Sequence, residues 1–148
     1  MTRKNARELA VRLCYALSEN PVPADDFITD FFESEHYASL GGEDELFTRE
    51  GAEEHMDYLR RVVCGVAEHS AELDGYVEKY AKGWKFARIS RTALAVMKVA
   101  MFEVLYMPEI PNGAAINEAV ELAKKYDEPD TVRFVNGVLG SFAREESI

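Results

Sequence analysis

The 148-residue chain predicts an all-α fold, a compact bundle of about seven helices, on three observations. Apolar residues recur at three- and four-residue spacing through nearly its whole length, the period of a half-buried helix. No run alternates apolar and polar residues between turn signals, which a half-buried strand would require. The breaks are short, so successive helices should lie antiparallel as neighbours in a bundle rather than stack as a solenoid.

Each element has its own signal. From Arg3 to Ser18, the positions Ala6, Leu9, Ala10, Leu13, Ala16 and Leu17 form a stripe that Pro21 and Pro23 terminate. A second helix is expected from about Asp25 to Glu35, carrying Phe27, Ile28, Phe31 and Phe32. Leu40-Gly41-Gly42-Glu43 is the clearest loop. A long helical pattern then runs from Phe47 to Lys82, with Met56, Leu59, Val63, Val66 and Ala67 as its stripe. Within it Ser70 is expected to cap a fresh helix bearing Leu73, Val77 and Tyr80, and Gly83-Trp84 to break it. Ser90 starts a strongly apolar helix through Tyr106, read as the central core element. Pro111 suits the first turn of the next helix, where Ile116, Ala119, Val120, Ala123 and Tyr126 share one side. Asp127 and Pro129 mark the start of the last helix, which holds Asn136-Gly137, normally a turn signal. Glycine costs about 1 kcal/mol against alanine inside a helix, so Gly137 is expected where a neighbour must approach closely.

Composition bounds the function. With 47% hydrophobic and 30% charged residues the chain can bury a core as one domain, 1–148, without staples. Its two halves are placed at about 1–83 and 84–148. No apolar run approaches the length that spans a bilayer, and Thr2-Arg3-Lys4-Asn5 lacks the apolar core of a signal peptide, so a cytoplasmic protein with no membrane partner is expected. Cys14 and Cys64 sit in apolar helical contexts and read as reduced thiols. A net charge of −10 argues against coating nucleic acid on every side. It leaves room for a local basic site, because salt screens distant charges beyond about 8–10 Å. The acids crowd between Glu33 and Glu54, whereas the N-terminus carries Arg3, Lys4, Arg7 and Arg12 against Glu8.

Catalytic chemistry is not evident. His55 and His69 would lie roughly 21 Å apart along a continuous helix and could not share a metal. Neither cysteine has a zinc-ligand spacing. Glu50, Glu53, Glu54 and Asp57 read as a solvated helix face, and no nucleophile elbow, phosphate loop or dinucleotide fingerprint occurs. The expectation is a protein that is not an enzyme and uses no cofactor or metal. Recognition remains. Arg3, Lys4 and Arg7 fall in the first turns of a helix whose other side is apolar, so packing should hold them outward for phosphate; the plain alternative is a solvated, frayed end. Tyr15 and Phe134 could stack on unpaired bases or could simply be core.

The segments Ala6-Arg7-Glu8-Leu9-Ala10 with Tyr15, Gly65-Val66, Leu73-Asp74, Ala115-Ile116-Asn117-Glu118-Ala119 and Phe134-Val135-Asn136-Gly137-Val138-Leu139 together resemble the NusB transcription antitermination family. The last two are the specific ones. The resemblance implies two small helical subdomains packed together. It implies an RNA-binding adaptor that pairs with NusE, a small-subunit ribosomal protein, on boxA-type single-stranded RNA. That pair would help the transcribing RNA polymerase complex read through terminators on ribosomal RNA operons. By position it implies RNA contact by Arg3, Lys4, Arg7, Tyr15, Asp130 and Phe134, and partner contact by Glu8, Tyr15, Ala93 and Leu94. Asn117, Glu118, Asn136 and Gly137 are given structural roles, the amides at helix ends. A homodimer is compatible with the family. Three departures stand out: Asn5 replaces a frequent third basic residue, Asn112-Gly113 a pair that often includes lysine, and Ala93-Leu94 an acid followed by a base on the helix that faces NusE.

Two other readings compete. RNA cytosine methyltransferases carry a similar module, but 148 residues leave no room for their catalytic domain. A helical protein–protein module that has lost RNA binding is favoured by the acidic balance.

Overall fold

A computed structural model describes residues 2–33 and 55–146. Among them are seven α-helices: α1 (Arg3–Glu19), α2 (Ala24–Glu33), α3 (Met56–Glu68), α4 (Ser70–Tyr80), α5 (Arg91–Tyr106), α6 (Asn112–Tyr126) and α7 (Pro129–Glu146). A 3-10 turn, Phe86–Arg88, precedes α5, and the described residues contain no strand. The all-α expectation is met. The expected Leu40–Glu43 loop, the acidic run beyond Glu33 and the start of the pattern at Phe47 lie outside the described residues.

The helices group into two units, Met1–Glu68 and His69–Ile148. In the first, α3 packs against both α1 and α2. The core is built by Leu9, Ala10 and Leu13 of α1, Ile28 of α2, and Leu59, Val62 and Val63 of α3, all nearly or fully inaccessible. In the second, α5 packs against α4, α6 and α7, and α7 also meets α4 and α6. Every residue of α5 from Ala95 to Glu103 is buried, as the central position of an apolar helix demands. The boundary falls at Glu68/His69 rather than near residue 83, because α4 turns its buried Leu73 and Val77 toward the second unit's helices.

Local chemistry sets the helix ends. Thr2 caps α1 by accepting from the Asn5 amide at 3.1 Å. Ser90 caps α5 by accepting from the Ala93 amide at 3.0 Å, as its sequence position predicts. Ser70 does not cap α4. It is the helix's first residue, His69 holds the cap position, and the Ser70 hydroxyl instead accepts from Lys98 at 2.7 Å. Beyond α4, Gly83 adopts φ +82°, a left-handed conformation that side chains disfavour and that turns the chain into the Trp84 segment.

Gly137 departs from expectation. A Cβ there would meet nothing within 4 Å, and the residue is exposed, so no neighbour requires the glycine. Asn117 and Asn136 are likewise exposed and lie within α6 and α7 rather than at their ends. The periodic stripe assigns these positions to the solvent side, which a motif reading does not weigh.

Candidate nucleic-acid interface

The candidate residues fall in both units, and each set is described within its own unit. In the first, the Thr2 cap fixes the opening turn of α1 and displays Arg3 and Lys4, both exposed. No acidic residue occupies that turn. Cations at a helix N-terminus oppose the helix dipole at a cost of about 0.3–1 kcal/mol each, and they add their charge to its positive end. Local stability does not favour that arrangement; an anionic ligand does.

The α1 cations are not equally available. The Arg3 guanidinium lies 4.4 Å from the centroid of the buried Tyr58 ring on α3, a cation–π contact that holds its stem and leaves its edge to solvent. Arg7 corrects the expectation of an outward basic face, for it is only 5% exposed. It follows Arg3 by one turn on the side that the Tyr58 contact turns toward α3. Glu8 is also buried and pairs with Arg12 at 3.2 Å, so it offers little surface to a partner. The Lys4 side chain makes no hydrogen bond, ion pair or ring contact among the described residues. Tyr15 is 39% exposed, and its ring is available for a base or a protein surface.

In the second unit Phe134 lies on the second turn of α7, half-buried. Its ring is covered on one side by Trp84, with centroids 4.6 Å apart and planes tilted by 43°. Asp130 is exposed and paired with Arg133 one turn on. The Ser90 hydroxyl donates to Asp127 at 3.1 Å, tying the start of α5 to the end of α6. Ala93 is fully buried and presents no surface, a correction to its assignment as a partner contact; Leu94 beside it is half-buried. The alanine packs inward because it sits on the core side of α5, two residues before a run buried on every side.

Sequence reasoning passed over Trp84, which at 48% is among the most exposed large apolar side chains described. Its signal was present. Between Glu78 and Glu103 the chain has no acidic residue, while Lys79, Lys82, Lys85, Arg88, Arg91 and Lys98 all fall there. Among the described residues no group of three or more His, Cys, Asp or Glu is placed to hold a metal ion, and no helix is long and apolar enough to cross a membrane.

Burial pushes the Cys64 thiol up from its ordinary pKa, with Asp25 adding to the shift. Where α7 ends, Glu146 accepts from Lys79 at 2.7 Å and from the Tyr80 hydroxyl. The lysine holds the Glu146 carboxyl below the usual range, and Glu146 in turn raises Lys79.

An all-α scaffold that displays cations at a helix end and aromatic rings beside further cations is built for recognition. The NusB family model matches residues 4–144, and the chain belongs to the NusB family. The transcription antitermination protein NusB of Ruminiclostridium cellulolyticum is 38% identical over 144 residues, covering 97% of this chain and 90% of that one. Its counterpart in Clostridium kluyveri is 32% identical, covering 100% and 99%. Among solved structures, NusB of T. maritima superposes with a TM-score of 0.77 at 23% identity, over 100% of this chain and 94% of that chain, and shares the fold. A chain in a structure described as the crystal structure of a plectonemic RNA supercoil superposes with a TM-score of 0.65 at 26% identity, over 96% and 94%.

Proposed function

We propose that this protein is an RNA-binding transcription antitermination adaptor that pairs with the ribosomal protein NusE on boxA-type single-stranded RNA. The observation that carries the reading is the family match across residues 4–144, whose curated relatives are antitermination proteins. The geometry supports it at both ends of the candidate set. Arg3 and Lys4 present charge from a capped first turn, where phosphate oxygens also meet free amides and the dipole's positive end. The Trp84–Phe134 pair supplies aromatic surface for an unstacked base. Tyr15 and Leu94 keep the surface needed for a protein partner. The adaptor would then join the transcribing RNA polymerase complex through NusE.

Fluorescence anisotropy with a labelled boxA RNA tests this directly. The expected result is binding by the protein that tightens when cognate NusE is added. Binding that NusE leaves unchanged removes the partner from the reading. RNA affinity absent both with and without NusE favours the alternative, a helical protein–protein module.

A further inference from the structure

We infer that Trp84, with Lys82, Lys85 and Arg88, forms a contact track for single-stranded RNA in the second unit, in which the indole stacks on a base and Phe134 supports it from below. The inference rests on the adaptor reading and deepens it. Three observations combine. The indole is 48% exposed although it belongs to a segment bounded by ordered helices on both sides. Its other side is fixed against Phe134 at 4.6 Å, so the exposed ring is held rather than free to swing. A pre-positioned aromatic loses little side-chain freedom when a base lands on it, which is what a stacking platform requires. Lys82, Lys85 and Arg88 lie within four residues of Trp84, are all exposed, and their side chains make no ion pair or hydrogen bond among the described residues.

Charge identifies the occupant. The segment from Lys79 to Phe102 contains six of the 17 basic residues of a chain whose net charge is −10, and no acid. Within it Lys79 and Lys98 are paired with Glu146 and Asp74; self-repulsion among Lys82, Lys85 and Arg88 is relieved by a polyanion, and the exposed ring beside them asks for a planar partner. Unpaired nucleotides combine the two. A duplex hides its base faces and would leave the indole without a partner. Phe134 is half-buried beside Trp84, so the more exposed ring at this place is the tryptophan's, and the phenylalanine also positions it.

Trp84 is the chain's single tryptophan, which makes the test available without mutation. Titrating the intact protein with boxA RNA should quench its intrinsic fluorescence along the same isotherm that anisotropy reports. Trp84→Ala should weaken binding about tenfold and Trp84→Phe much less, since a smaller ring still stacks. Lys82→Gln, Lys85→Gln and Arg88→Gln together should reduce the salt slope of log affinity by about 2 for a single strand. Circular dichroism melts verify that each variant folds, and the fluorescence titration decides the matter should any variant fail to. Wild-type binding with no quenching and unchanged variant affinities overturns the track while leaving the adaptor reading intact. Unchanged RNA affinity with weakened NusE binding overturns it too, by assigning the patch to protein. No RNA binding by the wild type overturns both.

Discussion

The cations of α1 and those of the Lys82–Arg88 segment look alike in the sequence and differ in the structure. On α1, Arg3 rests on Tyr58, Arg7 is buried and Arg12 is paired with Glu8, so of four basic side chains only that of Lys4 makes no hydrogen bond, ion pair or ring contact among the described residues. In the second unit Lys82, Lys85 and Arg88 are exposed and unpaired among the described residues. The difference follows from packing. Helix α1 lies along α3 for much of its length and draws its side chains into contacts, whereas the Trp84 segment is a connection that offers its side chains to solvent. Counting basic residues therefore measures potential charge, and only their surroundings show how much can meet a phosphate.

The comparison breaks most visibly at Lys98, a cation wholly committed to structure. It is buried on α5, lies 2.9 Å from Asp74 as an ion pair, and donates to Ser70 at 2.7 Å. Lys98→Met keeps the stem and removes the ammonium, leaving the partly buried Asp74 carboxylate without its counter-charge. Urea unfolding should show a loss of about 2 kcal/mol, the scale of a charge-assisted hydrogen bond, with RNA affinity unchanged for the folded fraction. A variant as stable as wild type would mean that burial alone does not separate structural from available cations here.

A smaller effect separates neighbours on α1. Arg7→Ala should cost about 1–2 kcal/mol in stability, through lost packing and contacts of a buried stem. Arg3→Ala with Lys4→Ala should leave stability within about 0.5 kcal/mol, yet lower the salt slope of RNA binding by about 1.4. Denaturation and anisotropy run in parallel on both variants check the split. A salt slope that Arg3 and Lys4 do not move would reassign the α1 end from recognition to solvation.

Much of this was legible in the sequence, and the misses share one cause. The helix at Ser90–Tyr106 announced itself through its cap and unbroken apolar content, and the α1 stripe through spacing alone, because both signals are local. What periodicity does not carry is which neighbour a side chain meets. Arg7 read as outward because its own helix allows it, and the helix packed beside it decided otherwise. Ala93 read as surface by positional correspondence and is core. Ser70 had the chemistry of a cap but was taken by Lys98, 28 residues on. Trp84 looked like a helix breaker, and only its contact with Phe134, 50 positions away, turns it into a platform.

The finest distinction lies inside the acid-free stretch itself, between Lys79 and its neighbours. Lys79 opens the stretch but is spent on Glu146, 2.7 Å away, which also accepts from Tyr80. The lysine depresses the Glu146 carboxyl, and the folded pKa therefore lies below the unfolded one. For such a group the stabilisation is fully present above the unfolded carboxylate pKa of about 4.3 and is lost as pH falls through the lower folded value. Lys79 and Tyr80 are both raised, so their share persists until pH climbs past the ordinary lysine and tyrosine ranges. Across neutral pH the clasp contributes evenly. The melting temperature of wild type should exceed that of Glu146→Gln by a constant small margin from pH 6 to 9, and the margin should close below about pH 4. Glu146→Gln should also free Lys79 to join the cations already available, raising the salt slope for RNA slightly at pH 7. A margin that persists into acid would show that shape rather than charge holds the end of α7 against α4.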